Sequence, residues 1–122
     1  NKYPLFIEIK PTFSKKILKK LLHETSKFSK CVFISFRHKN IYNLLKIKSS
    51  TKVGLSYSRS TSVKAIIKKS NNYKINCLVL DKFFLQNKKI DATKIRKYYY
   101  TIKTKSEFKR YGKNNNLIFE NL

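Results

Sequence analysis

Acidic residues are the first scarcity. Six Asp and Glu face 29 Lys and Arg, a formal net charge of +23 over 122 residues. The acids stand singly, so no carboxylate pair is available for general acid–base work. Glycine is nearly as rare. Gly54 and Gly112 are the only two, which excludes a Gly-rich phosphate loop. Two Cys (Cys31, Cys77) and two His (His23, His38) are scattered without metal-ligand spacing, so neither a metal nor another cofactor is expected. Each cysteine lies in an apolar run, CVFISF or NCLVL, and reads as a buried free thiol. Met and Trp are absent. No apolar run approaches the ~18 residues of a membrane span. NKYPLFIEIK (1–10) has no signal-peptide pattern. Cys31 and His38 come nearest to a nucleophile–base pair, but a catalytic thiol also needs a positioned base and an oxyanion site. The sequence does not read as an enzyme.

What is present points elsewhere. The hydrophobic content, 41%, suits one globular domain. Lys, Asn, Ile, Tyr and Phe dominate, the residues of A/T-rich codons, as in an organellar or parasite genome. Some lysines then reflect codon drift, and each arginine carries more information. There are four: Arg37, Arg59, Arg96 and Arg110. A net +23 repels itself in an isolated chain. A polyanionic partner relieves it, nucleic acid first and an anionic membrane surface second.

LFIEI (5–9) alternates and reads as a strand. Residues 12–30 form a basic amphipathic helix with Thr12 or Ser14 as cap. CVFISF (31–36) is a buried strand, so the chain opens as β-α-β. NIYNLLKIK (40–48) is a short helix and SSTKVG (49–54) a loop. YSRSTSVKAIIKK (57–69) and YKINCLVLDKFF (73–84) read as two strands joined by Ser70-Asn71-Asn72, because Asn tolerates the positive φ of tight turns. Residues 85–116 lose periodicity and gain charge, as an extended basic tail. The expected fold is therefore α+β. A small antiparallel sheet carries a central hairpin (about 63–69 and 73–80), packed by short helices, with a β-α-β-like N-terminal extension and a basic C-terminal tail.

Basic residues interleave with aromatics in RKYYYTIKTKSEFKRYGK (96–113), a pattern that suits phosphate contact and base stacking. FRHKN (36–40) precedes a helix start, where backbone N–H groups favour phosphate. In SYSRSTSV (56–63), an Arg sits among hydroxyls; its planar fork makes bidentate contacts that Lys cannot. The expected RNA contacts are Arg37, His38, Lys39, Lys46 and Lys52, then Tyr57, Ser58, Arg59, Ser60 and Thr61. Along the expected hairpin they are Lys68, Lys69, Asn71, Asn72 and Lys74. Beyond it they are Lys88, Lys89, Arg96, Lys97, Tyr98 and Arg110.

SFRHKNIYNLLKI (35–47), YSRST (57–61) and KAIIKKSNNYKINCLVLD (64–81) resemble, in order and spacing, the small-subunit ribosomal protein nineteen family. Tyr57 stands for the family's Trp, Asn71 replaces its turn Gly, and FFLQNKKID (83–91) lacks its glycines. The resemblance implies an RNA-binding domain over 35–96, between an N-terminal extension (1–34) and a basic aromatic tail (97–122), in a structural constituent of the small-subunit head of a mitochondrial or other organellar ribosome. It implies ribosomal RNA and ribosomal protein thirteen as partners, with no small-molecule substrate and no membrane. Rival readings are another organellar ribosomal or RNA-binding protein, or a basic amphipathic protein that docks on a membrane or partner through helix 12–30.

Overall fold

Strand and helix alternate along the whole chain in the computed structural model, which describes residues 1–120. The residues cluster into two compact units. Unit 1 holds 1–56 and 74–76; unit 2 holds 57–73 and 77–122. Within each unit the strands follow sequence order, β1-β2-β3 and then β4-β5-β6.

Unit 1 is built as β1 (Leu5–Glu8), α1 (Lys15–Thr25), β2 (Cys31–Ser35), α2 (His38–Ile47) and most of β3 (Val53–Tyr57). Both strand pairings are parallel: Phe6 lies opposite Val32, and Phe33 opposite Val53. Parallel neighbours need a crossover, and α1 and α2 supply it. Ser14 caps α1 by accepting from Ile17 N at 3.3 Å. Along the strands, Ile9, Phe33, Val53 and Leu55 are buried, as are Leu18 of α1 and Ile41 and Leu44 of α2.

A polar knot ties the loop after β1 to the start of α2. Asn40 is fully buried. Its Oδ1 accepts from Phe13 N at 2.9 Å and its Nδ2 donates to Pro11 O at 2.8 Å. Ser35, equally buried, donates to Ile9 O and accepts from Arg37 N at 3.0 Å.

Unit 2 contains α3 (Val63–Ser70), β4 (Cys77–Asp81), a 3-10 turn (Lys82–Phe84), α4 (Lys88–Asp91), β5 (Arg96–Ile102), α5 (Lys105–Tyr111) and β6 (Asn116–Phe119). Its pairings are parallel too: Val79 lies opposite Tyr98, and Tyr99 opposite Leu117. Each helix has a hydroxyl or amide cap, from Ser62, Asn87 and Thr104. The core gathers Ile66, Leu78, Leu80, Phe84, Ile90, Tyr99 and Ile102.

The expected α+β fold with an antiparallel sheet is thereby overturned: the architecture is parallel α/β. No hairpin spans 63–69 and 73–80. Residues 63–70 form α3, because Val63, Ile66 and Ile67 share one helical face and Ser62 accepts from Ala65 N at 3.2 Å. Asn71 is the C-cap of that helix at φ −84°, not a positive-φ turn residue. The hairpin that carried the ribosomal resemblance is a helix followed by a parallel strand. The expected loop over 49–54 gives way to β3 at Val53, and the expected basic tail folds into α4, β5, α5 and β6. The opening β-α-β is present, but as the first step of a repeated βα pattern and not as an appendage.

Asn40→Ala leaves Phe13 N–H and Pro11 C=O unpaired, and should cost about 2–4 kcal/mol. Asn40→Asp sets a carboxylate oxygen against Pro11 O in a fully buried position, and should cost at least as much near neutral pH. Urea unfolding of the three proteins checks this order.

Candidate nucleic-acid interface

In a parallel strand–helix repeat, the chain turns from each strand into a helix at the strands' carboxyl ends, and ligands gather there. The SYSRSTSV run occupies such a turn. Tyr57 closes β3 and is buried; Ser58, Arg59 and Ser60 are exposed; Ser62 caps α3. Thr61 N donates to Ser58 O at 3.1 Å, and the Ser58 and Ser60 hydroxyls meet at 2.8 Å. The run is therefore a tight turn and not an extended strand.

The Arg59 guanidinium lies 5.1 Å from the Phe83 ring centroid. Both border a cavity of about 290 Å³ shared with Asp81, Lys82 and Glu107. Asp81 accepts from Phe83 N at 2.8 Å, which shapes the turn after β4. Lys82 and Glu107 pair at 2.9 Å. Hydrogen bonds from Lys82 and from Lys103 N hold the Glu107 carboxyl below its ordinary range. Lys82 is thus committed to Glu107, whereas Arg59 is exposed and lies near a ring.

The other expected contacts separate by position. Arg37, His38 and Lys39 lie at the carboxyl end of β2, in unit 1. His38 Nε2 donates to Ser56 O at 2.9 Å, so that ring helps to hold the backbone. Lys46 lies in the last turn of α2, and Lys52 precedes β3. Lys68, Lys69 and Asn71 end α3, followed by Asn72 and Lys74. Lys88 and Lys89 lie on α4, Arg96 and Tyr98 on β5, and Arg110 on α5. Arg96 and Arg110 border a second unit 2 cavity, of about 460 Å³.

Lys97 belongs to the framework. Its ammonium donates to Ile90 O at 3.1 Å, Thr93 O at 2.6 Å and Thr93 Oγ1 at 3.0 Å, closing the end of α4. Burial lowers its pKa, and the Asp91 charge opposes that shift.

The aromatics of 96–113 divide likewise. Tyr99 is 2% exposed and belongs to the core. Tyr100 Oη donates to Tyr57 O at 2.8 Å. Phe108 is exposed and meets Phe119 edge-on at 5.9 Å. A YYY run looks like a stacking platform by composition, yet strand alternation sends its middle ring into the core.

Cys31 begins β2 and His38 opens α2 beyond the other end of that strand. No group of three or more His, Cys, Asp or Glu suits a metal ion among the described residues. No described helix is long and apolar enough to cross a membrane. No protein-family model matches the chain, and no curated protein matches it either.

Two buried groups set an alkaline limit on unit 2. Burial raises the Cys77 thiol from 9.0 to about 11, opposed by Arg96. Burial first, then the Asp91 charge, raises the Tyr99 phenol from 10.0 to about 12. Its hydroxyl has no hydrogen bond of normal geometry among the described residues, so Asp91 acts through its charge. Both groups fold in their neutral forms. Their stabilisation is complete below pH 9 and is lost as pH rises through about 11 and 12. Tyr99→Phe should flatten the decline between pH 10 and 12, and Cys77→Ala that between pH 9 and 11, read by circular dichroism.

Proposed function

We propose that this protein binds RNA without catalysing a reaction on it, through phosphate neutralisation over its basic surface. One observation carries this reading. Every Lys and Arg except Lys82 and Lys97 is exposed. Six acids leave a net +23 on that surface, and counterion release on a polyanion is the largest free-energy source open to it. Arg59 is the contact best suited to more than charge, because its exposed guanidinium lies 5.1 Å from the Phe83 ring centroid and its planar fork can bind a phosphate bidentately. Exposed Phe83, beneath that guanidinium, offers a base an aromatic face.

The ribosomal form of this reading leaned on a hairpin over 64–81 that the chain does not form. RNA, and not a place in a small subunit, is what the charge supports. The membrane alternative finds less support. Leu18 of α1 is fully buried, and Leu21 and Leu22 are half-buried, so most of the helix's apolar face packs on the fold, with Ile17 left exposed.

Filter binding to single-stranded RNA should weaken steeply with salt, by about 10³-fold or more between 50 and 200 mM if six or more phosphates are engaged. Arg59→Lys, which keeps the charge, should still lose affinity, and Arg59→Ala should lose more. Affinity flat in salt would overturn the RNA reading. Equal binding by Arg59→Lys and the native chain would remove Arg59 from it.

A further inference from the structure

Lys39, Asn43 and Lys46 recur along α2 at i, i+4 and i+7, the spacing of a single helical face. That face and the first turn of α1 line one cleft in unit 1, of about 530 Å³, with Ser14 and Lys15 on the opposite wall. The volume is in the range of small-molecule sites, ~300–1,000 Å³. No carboxylate lines it. Three ammonium groups therefore share a concave space with nothing anionic among the described residues to offset them.

The start of α1 adds donors. Ser14 Oγ takes Ile17 N, but the first N–H groups of a helix have no intrahelical acceptor. The first turn also contains no acid, so the positive end of the helix is uncompensated. These features alone describe only a basic helix end. Asn43 supplies the independent observation. It is 8% exposed, borders the cleft, and its amide has no hydrogen-bond partner among the described residues. The residue is enclosed, but its amide atoms are not among the sealed ones, so they reach the cleft. Asn40, one turn earlier, uses both ends of its own amide to hold Pro11 and Phe13. The same helix thus carries one buried Asn that fixes the wall of the cleft and another left open to it.

We propose that this cleft is a saturable site for the phosphate of a nucleotide, whether free or at the end of an RNA strand. Lys15, Lys39 and Lys46 neutralise the phosphate. The α1 backbone N–H groups and the Asn43 amide donate to its oxygens. The rest of the volume takes the nucleoside. The site does not rest on the RNA reading, because diffuse charge binding needs no buried amide.

The test is a two-dimensional amide NMR titration of the full chain in 150 mM salt with adenosine 5′-monophosphate, inorganic phosphate and adenosine as separate probes. The monophosphate should shift the Lys15 and Lys16 amides and the Asn43 side-chain NH₂ saturably. Phosphate should do so more weakly, and adenosine should have no effect. Asn43→Asp, nearly isosteric but anionic, should raise the dissociation constant at least tenfold. Lys39→Gln with Lys46→Gln, both exposed and so neutral for folding, should do the same. Competition by a short 5′-phosphorylated RNA, but not by its dephosphorylated form, would assign the phosphate to a strand end. Competition by neither would assign it to the free nucleotide. Unsaturable shifts spread over all the lysines, or unchanged affinity in the lysine double variant, would overturn the site. Salt-dependent RNA binding can persist in that case, so the two readings fail separately.

Discussion

Twenty-nine cations and six acids leave this chain unable to build an ionic interior. A buried charge needs a partner, and the partners are too few. The buried polar residues are accordingly neutral: Ser35, Asn40, Asn43, Thr51 and Ser56. Lys97, one of two lysines drawn from the surface, is met by carbonyls and a hydroxyl. The other, Lys82, takes Glu107. Helices alternating with parallel strands suit this constraint. Helices α1 to α4 each bury residues on one side and offer the other to water, which gives the lysines somewhere to stand.

The same alternation decides where chemistry can gather. Each strand hands over to a helix through a turn, and those turns hold the capping hydroxyls, Arg37 and Arg59. In unit 1, the Asn40–Ser35 knot fixes the turn after β1 and so sets the wall of the lysine-lined cleft. In unit 2, Phe83 supports Arg59, and the Lys82–Glu107 pair borders the same cavity. Both arrangements present cations at the surface, and the proposed phosphate-bearing partner rests on them.

Much of the first half was legible because its signals are local. β1, α1 and α2 show a period, β2 is a continuous β-rich run, and Ser14, one of the two expected caps, caps α1. The errors lie where local signals are ambiguous. KAIIKK is short enough to suit either period, and the Ser-Asn-Asn after it resembles a turn in either case. RKYYYTI looked charged and aperiodic, yet it is β5, with Tyr99 and Ile102 turned inward between residues of intermediate exposure. For the site, Lys39 and Lys46 were legible as basic residues. Asn43 was not singled out, although its i+4 and i+3 spacing to them was available.

The sequence by itself determined the charge, the absence of paired carboxylates and metal ligands, and the amphipathic faces of α1 and α2. These depend only on composition and short-range spacing. Only the tertiary structure decided that the strands pair in parallel, because pairing direction follows from which distant segments meet and not from the period within any one of them. It alone decided that Lys97 is a helix cap and Tyr99 a core ring, since burial is a property of neighbours. It also decided that Asn40 is satisfied while Asn43 is open, a difference between two like residues one helical turn apart that no local pattern encodes.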